Sequence, residues 1–177
     1  MSNPLVVLLS ELAEREQQLA AGDILFRTGD PVRALFLVAA GVIRLSRSLP
    51  HGSQLTLQSA GPGAILAEAS LFADCYHCEG AAVEDSVVRP VPLRRLRAAL
   101  ANQAVLARAL NQHLAQEVQR ARAHAEILSL KTVAARVDAW VTVHDCPLPS
   151  KGEWRQLAAE IGVSPEAVYR ELAKRRK

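Results

Sequence analysis

Apolar and polar positions follow different rhythms along the chain. In Met1 to Leu19, Leu5, Leu8, Leu9 and Leu12 recur at helical spacing and predict a short helix that packs on the segment after it. From Ala20 to about Leu93 the apolar runs are short: Ile24-Leu25-Phe26, Ala34 to Val38, Val42 to Leu45, Leu55 to Leu57 and Val87 to Val91. Gly22-Asp23, Gly29-Asp30-Pro31, Ala40-Gly41, His51-Gly52 and Gly61-Pro62-Gly63 punctuate them as turns. Val42, Arg44 and Ser46 alternate with Ile43 and Leu45, the period of a half-buried strand. Many short strands between close turns predict an antiparallel roll. Ile65 to Phe72 carries strong helix formers between two turns and reads as one short helix inserted in that roll.

From about Leu93 to Leu130 the rhythm becomes helical, and Ala99 to Leu130 holds no Gly or Pro. Ala107, Asn111, Leu114, Val118, Ala121, Ala125 and Leu128 follow a 4-3 alternation, a narrow seam of the coiled-coil kind in which Asn111 sets register. A helix of ~30 residues is ~45 Å long, more than one small roll covers, so a second copy is the expected cover. The interface residues expected on it are Leu110, Leu114, Val118, Ala121, Ala125 and Leu128. Thr132 to His144 predicts another helix, with Val133, Val137, Trp140 and Val141 on one face, broken by Cys146-Pro147-Leu148-Pro149.

The last stretch, Ser150 to Lys177, has the densest set of local signals. Ser150 and Glu153 have capping-box spacing, and Trp154, Leu157, Ala158 and Ile161 give one apolar face. Gly162 suits the left-handed residue that ends a helix. Ser164 is an N-cap, Pro165 suits the first helical position, and Val163 is placed to staple onto Val168. Two short helices joined through Gly-Val-Ser predict a helix-turn-helix. With Val168 and Leu172 buried, Glu166, Tyr169, Arg170 and Lys174 share the opposite face, followed by Arg175, Arg176 and Lys177. Arg donates two bonds to guanine, Glu accepts from cytosine N4, and a basic tail suits phosphates. Ser164, Glu166, Tyr169, Arg170, Lys174, Arg175, Arg176 and Lys177 are the expected DNA-contacting residues.

Composition narrows the picture. Half of the 177 residues are hydrophobic, enough for a core, and the net charge is only +3, so the basic character is local to one end. Only 4% of residues are aromatic, which argues against a base-stacking single-strand or RNA surface. No charged segment precedes Leu5 to Leu9, no apolar run spans a bilayer, and three cysteines make no disulfide framework. A cytoplasmic protein without a membrane role is expected. No enzyme constellation appears: Glu84-Asp85 has no partner base, and there is no P-loop, G-x-S-x-G or H-E-x-x-H.

A roll, a long helix and a helix-turn-helix in this order resemble the CRP/FNR superfamily of bacterial transcription regulators. The residues that carry the resemblance are Gly22-Asp23-Ile24-Leu25-Phe26 with Gly29-Asp30, then Leu35-Phe36-Leu37-Val38 with Gly41, then Pro62-Gly63 and Glu68-Ala69-Ser70-Leu71-Phe72. In the last stretch they are Leu157-Ala158 and Gly162-Val163-Ser164-Pro165-Glu166-Ala167-Val168-Tyr169-Arg170. The resemblance implies a dimer on double-stranded DNA, Glu166 and Arg170 at base-reading positions, and a small-molecule effector pocket. By resemblance that pocket holds Glu68, Ala69, Ser70, His77, Cys78 and Glu79.

The sequence departs from the family pattern in three places. Pro165 replaces a common Arg in the reading helix. The chain ends at Lys177 without the usual two-stranded wing, so the basic tail is expected to substitute through phosphate contacts. Ala67-Glu68 and Cys78-Glu79 stand where cyclic-nucleotide members have Gly-Glu and Arg-Ser, so no response to cyclic AMP is expected. Cys75-Tyr76-His77-Cys78 is also a C-x-x-C with a His inside, compatible with a thiol switch, a soft metal or haem ligation, or buried apolar thiols; no cofactor and no metal are expected.

The expected fold class is therefore α+β: a roll with its N-terminal helix over 1–100, a dimerisation helix over 101–130 and a helix-turn-helix domain over 131–177. The expected function is a dimeric, sequence-specific DNA-binding transcription regulator, with no enzyme activity. The alternative is a ligand- or redox-sensing module acting through a protein partner.

Overall fold

The structure is a computed structural model and describes residues 3–48 and 54–175. The His51-Gly52 turn and the last two tail cations, Arg176 and Lys177, lie outside the described residues. The chain forms two compact units, residues 1–113 and 114–177.

The first unit is an antiparallel roll. Its opening helix α1 (Pro4–Ser10) starts where the Asn3 side chain accepts from the Leu5 N–H at 3.0 Å and Pro4 takes the first helical position. It buries Leu5 and Leu9. The helix expected across Met1 to Leu19 stops there: β1 (Gln17–Leu19) pairs with β8 (Ser86–Pro92), because backbone pairing to a long strand outweighs weak helical periodicity. The other strands are β2 (Ile24–Phe26), β3 (Ala34–Ala40), β4 (Ile43–Ser48), β5 (Gln54–Ala60), β6 (Ile65–Leu66) and β7 (Glu79–Ala82). They make two four-stranded sheets, ordered β1-β8-β3-β6 and β2-β7-β4-β5.

β3 lies between β8 and β6, and Leu35 to Val38 are all buried, so it reads as a continuous apolar run rather than an alternating one. In β4 the expected alternation holds at Ile43, Arg44 and Leu45. A register shift between Leu45 and Ser46 then turns Ser46 inward, where it is buried. Gly41 has φ +76°, and a Cβ there would lie 2.5 Å from the Asp85 carbonyl oxygen, so the β3–β4 turn needs glycine.

The inserted helix expected over Ile65 to Phe72 is only a single 3-10 turn, Glu68–Ser70. Ile65 and Leu66 instead pair with Leu37 and Phe36, and Ala67 takes a left-handed φ of +66° that no helix continues through. β7 carries little signal in the sequence: its Glu-Gly-Ala-Ala has low strand propensity and is held by β2 and β4 on either side.

The single helix expected from Leu93 to Leu130 is two: α2 (Leu93–Asn102) and α3 (Ala104–Ser129). Gln103 is extended between them (φ −123°, ψ 94°), without help from Gly or Pro. α3 has 26 residues, hence is ~39 Å long. Among the described residues no helix is long and apolar enough to cross a membrane.

The second unit packs α4 (Val133–His144), α5 (Trp154–Glu160) and α6 (Pro165–Lys174) around one apolar cluster. Ile127 of α3, Val137, Trp140, Trp154, Leu157, Ala158, Ile161, Val168 and Leu172 are its buried members. Both tryptophans of the chain belong to this unit.

Candidate nucleic-acid interface and sensor cluster

The helix-turn-helix is built by local caps and one arginine. The Glu153 carboxylate accepts from the Ser150 N–H at 2.9 Å and from its hydroxyl at 2.8 Å, which holds that carboxyl below its usual range. A 3-10 turn (Lys151–Glu153) then leads into α5. Gly162 ends α5 at φ +64°. The Val163 N–H closes back on the Ala158 carbonyl at 3.0 Å. Ser164 caps α6, its hydroxyl accepting from the Ala167 N–H at 3.3 Å. Val163 packs on the cluster that holds Val168, as a staple does.

Arg136, on α4, was not singled out by sequence. Its Nε donates to the Leu130 carbonyl at 2.8 Å and its Nη2 to that of Leu128 at 2.8 Å. Its Nη1 donates to the carbonyls of Ile161 at 2.9 Å and Gly162 at 3.1 Å. One guanidinium thus satisfies the end of α3 and the turn between α5 and α6 together. The only available signal was general: basic side chains bond the free carbonyls at helix ends. A second tie is Glu160, which accepts from Trp140 Nε1 at 2.6 Å and from Gln156 Nε2 at 3.0 Å.

The open face of α6 carries Glu166, Arg170 and Lys174, all exposed, with Val168 and Leu172 buried behind them. Tyr169, expected beside them in the open, is half-buried, its ring edge-on to Trp154 at 5.0 Å. Arg175, expected in a free cationic tail, folds back onto the unit: it forms ion pairs with Asp138 and Glu171 and donates to the Ala134 carbonyl at 3.0 Å. The Glu166 carboxyl is held below its usual range by its own backbone N–H, then by the Ser164 hydroxyl and by the charge of Arg155. Arg155, Pro165, Glu166 and Tyr169 line one open concavity of about 580 Å³.

Along α3, the expected interface residues divide. Val118, Ala121, Ala125 and Leu128 are exposed and Leu114 is half-buried. Leu110 is only 3% exposed within its own chain, so it faces inward and not along the open seam. His113, three positions on along α3, is buried too. The Leu128 side chain reaches the turn, and a Cβ on Gly162 would meet it at 2.6 Å.

In the roll, the residues expected to line an effector pocket lie on the 3-10 turn and on the segment leading into β7. Ser70 Oγ and His77 Nδ1 lie 3.0 Å apart, and Arg47 Nε donates to the His77 carbonyl at 3.2 Å. Burial pushes the Cys78 thiol up, the Arg47 guanidinium pulls it down, and the Glu68 carboxylate pushes it up again. Glu79 is half-buried on β7 opposite Ser46, and Ala69 is exposed. Arg47 is a member the sequence motif did not include; it comes from β4, far along the chain. Cys75 is exposed, Cys78 is buried, and both are free thiols. Cys75 instead forms a β-bridge with Pro31. Among the described residues no group of three or more His, Cys, Asp or Glu is placed to hold a metal ion. Tyr76 between them is structural: it stacks on Phe26 at 4.2 Å and its hydroxyl donates to the Ala34 carbonyl at 2.8 Å.

Comparison with known proteins follows this division. The family description of the cyclic nucleotide-binding domain matches residues 16–103. The "Cyclic AMP receptor protein" of Thermus thermophilus is 32% identical over 117 residues, covering 66% of this chain and 54% of that protein. The "Transcriptional activator protein anr" of Pseudomonas aeruginosa is 25% identical over 129 residues, covering 73% of this chain and 53% of that one. The chain thus spans about half the length of the curated relatives it matches. The structure of FixK2 from Bradyrhizobium japonicum shares the fold with a TM-score of 0.73 at 23% identity, covering 92% of this chain and 83% of that one. The first unit thus contains a cyclic nucleotide-binding domain, and over most of its length the chain is similar in fold to regulators of the CRP/FNR kind.

Proposed function

We propose that the chain is a dimeric, sequence-specific DNA-binding transcription regulator with a ligand-sensing roll. One observation carries the reading: α6 is capped, buried along Val168 and Leu172, and opens a face of Glu166, Arg170 and Lys174. A helix of this shape fits a major groove, where Arg170 addresses guanine and Glu166 addresses cytosine. The relatives named as a transcriptional activator and a cyclic AMP receptor support the same class. The exposed Val118, Ala121, Ala125 and Leu128 support pairing of two copies along α3.

The effector we propose is not cyclic AMP. The cluster around Glu68 keeps carboxylates at Glu68 and Glu79, and Cys78 offers a thiol kept neutral by its surroundings. Arg47 is the cation there, and its Nε is engaged by His77. A bound phosphate needs charge-assisted donors to replace its water.

Selection of bound sequences from random duplex DNA tests the reading. The expected result is enrichment of paired half-sites about one helical turn apart, with affinity falling steeply as salt rises. No enrichment and a flat salt response would point instead to a protein partner.

A further inference from the structure

The first turn of α6 presents a problem for a DNA reader. Pro165 has no N–H and no charge, and Glu166 puts a carboxylate at the leading edge, so this turn brings no cation toward a polyanion. The nearby cation comes from another helix. Arg155, in the first turn of α5, lines the same concavity as Pro165, Glu166 and Tyr169. It is exposed, and its side chain makes no hydrogen bond or ion pair among the described residues, which leaves the guanidinium donors to other partners. Its charge is felt at the Glu166 carboxyl, which is turned onto its own backbone N–H and the Ser164 hydroxyl.

The geometry points to Arg155 as a DNA-phosphate-binding residue whose charge offsets Glu166 and lets the acidic first turn of α6 enter the groove. The inference rests on the DNA-binding reading above. In a helix-turn-helix the first helix crosses the backbone while the second reads bases, so a guanidinium on α5 is placed for phosphate. The Glu166 carboxylate has lone pairs beyond those taken by its own N–H and the Ser164 hydroxyl and can accept from an exocyclic amine, so the pair divides the work: Arg155 attracts any duplex, and Glu166 penalises those without such an amine.

Arg155→Ala, Arg155→Lys, and Arg155→Ala with Glu166→Gln are each titrated with a selected duplex and with an unrelated duplex at several salt concentrations. Arg155→Ala is expected to lower affinity for both duplexes about tenfold and to flatten the salt slope by about one per half-site. Arg155→Lys keeps most of the affinity, because a phosphate accepts a point charge. Adding Glu166→Gln to Arg155→Ala restores binding to the unrelated duplex. Equal affinity and slope for Arg155→Ala and parent overturn the inference. So does a loss confined to the selected duplex that Lys fails to rescue, which marks a base contact, and so does a failure of Glu166→Gln to restore anything. A parent that binds no duplex takes down the DNA-binding reading and this inference with it. A parent that binds beside an indifferent Arg155→Ala removes this inference alone.

Discussion

Arg136→Ala is the most informative perturbation of the reading head. The side chain is half-buried and serves four carbonyls, those of Leu128, Leu130, Ile161 and Gly162. A hydrogen bond from a charged donor contributes ~1.5–3 kcal/mol when shielded and far less in water. Only the bonds to Leu130 and Ile161 are partly shielded, so these two carry most of the value. The expected loss is about 2–4 kcal/mol for the second unit. For a unit of this size that is a fall of roughly 15–30 °C in its midpoint. Trp140 and Trp154 are the chain's tryptophans and both sit in this unit's core, so tryptophan fluorescence in a urea titration reports on it alone. Arg136→Met keeps the aliphatic stem and separates lost packing from lost hydrogen bonds. If Arg136→Ala lowers the unfolding free energy read from that titration by less than about 0.5 kcal/mol, the arginine is not what holds the turn.

Other consequences are equally direct. Ala67→Gly relieves a left-handed φ of +66° and should leave the roll unchanged or stabilise it by up to ~1 kcal/mol, read by circular dichroism on heating; a clear loss would deny the strain. Leu114→Asp with Val118→Asp places charges on the open seam and should halve the sedimenting mass without unfolding either unit; an unchanged mass moves the interface elsewhere. Brief alkylation at pH 8 should label exposed Cys75 well before buried Cys78, whose raised pKa means its stabilising contribution is complete below the ordinary thiol value of 9.0 and is lost as pH rises through the folded value; equal labelling would contradict the burial. Calorimetry with cyclic AMP should show affinity at least a hundredfold below micromolar, since an engaged Arg47 replaces a dedicated arginine fork at a loss of ~3 kcal/mol; micromolar binding would refute the effector argument.

What was legible in the sequence was what is decided locally. Ser150 with Glu153, Gly162, and Ser164 with Pro165 are caps whose partners lie within a few residues, so the helix-turn-helix could be read almost to its ends. The strands flanked by Gly-Asp and Gly-Pro-Gly turns were equally plain. What escaped depends on distant partners. Gln103 breaks a Gly- and Pro-free helical stretch with no local signal, and Glu79–Ala82 is a strand only because β2 and β4 pair with it. Arg47 reaches His77 from thirty positions away along the chain, and Arg136 finds carbonyls 25 and 26 positions on. Arg175 shows the converse: a basic residue in a basic run reads as a phosphate contact until Asp138 and Glu171 are seen beside it.

The same distinction separates the scaffold of the second unit from its reading face. Arg136, Glu160, Trp140, Trp154 and Gly162 act on one another, and none lies on the open face of α6. Arg155, Glu166, Arg170 and Lys174 are exposed and add little to that network. Substitutions on the face should therefore stay within about 0.5 kcal/mol of the parent in stability while changing which duplexes are bound. Substitutions in the scaffold should lower stability and, by disturbing the angle between α5 and α6, lower binding to every duplex alike. Gly162→Ala is the sharp case. The position needs φ +64°, and the new methyl would press on Leu128 at 2.6 Å. The combined strain and crowding amount to about 2 kcal/mol. Because Leu128 also lies on the exposed seam of α3, its displacement should weaken pairing of two copies as well, a loss that no substitution on the reading face produces.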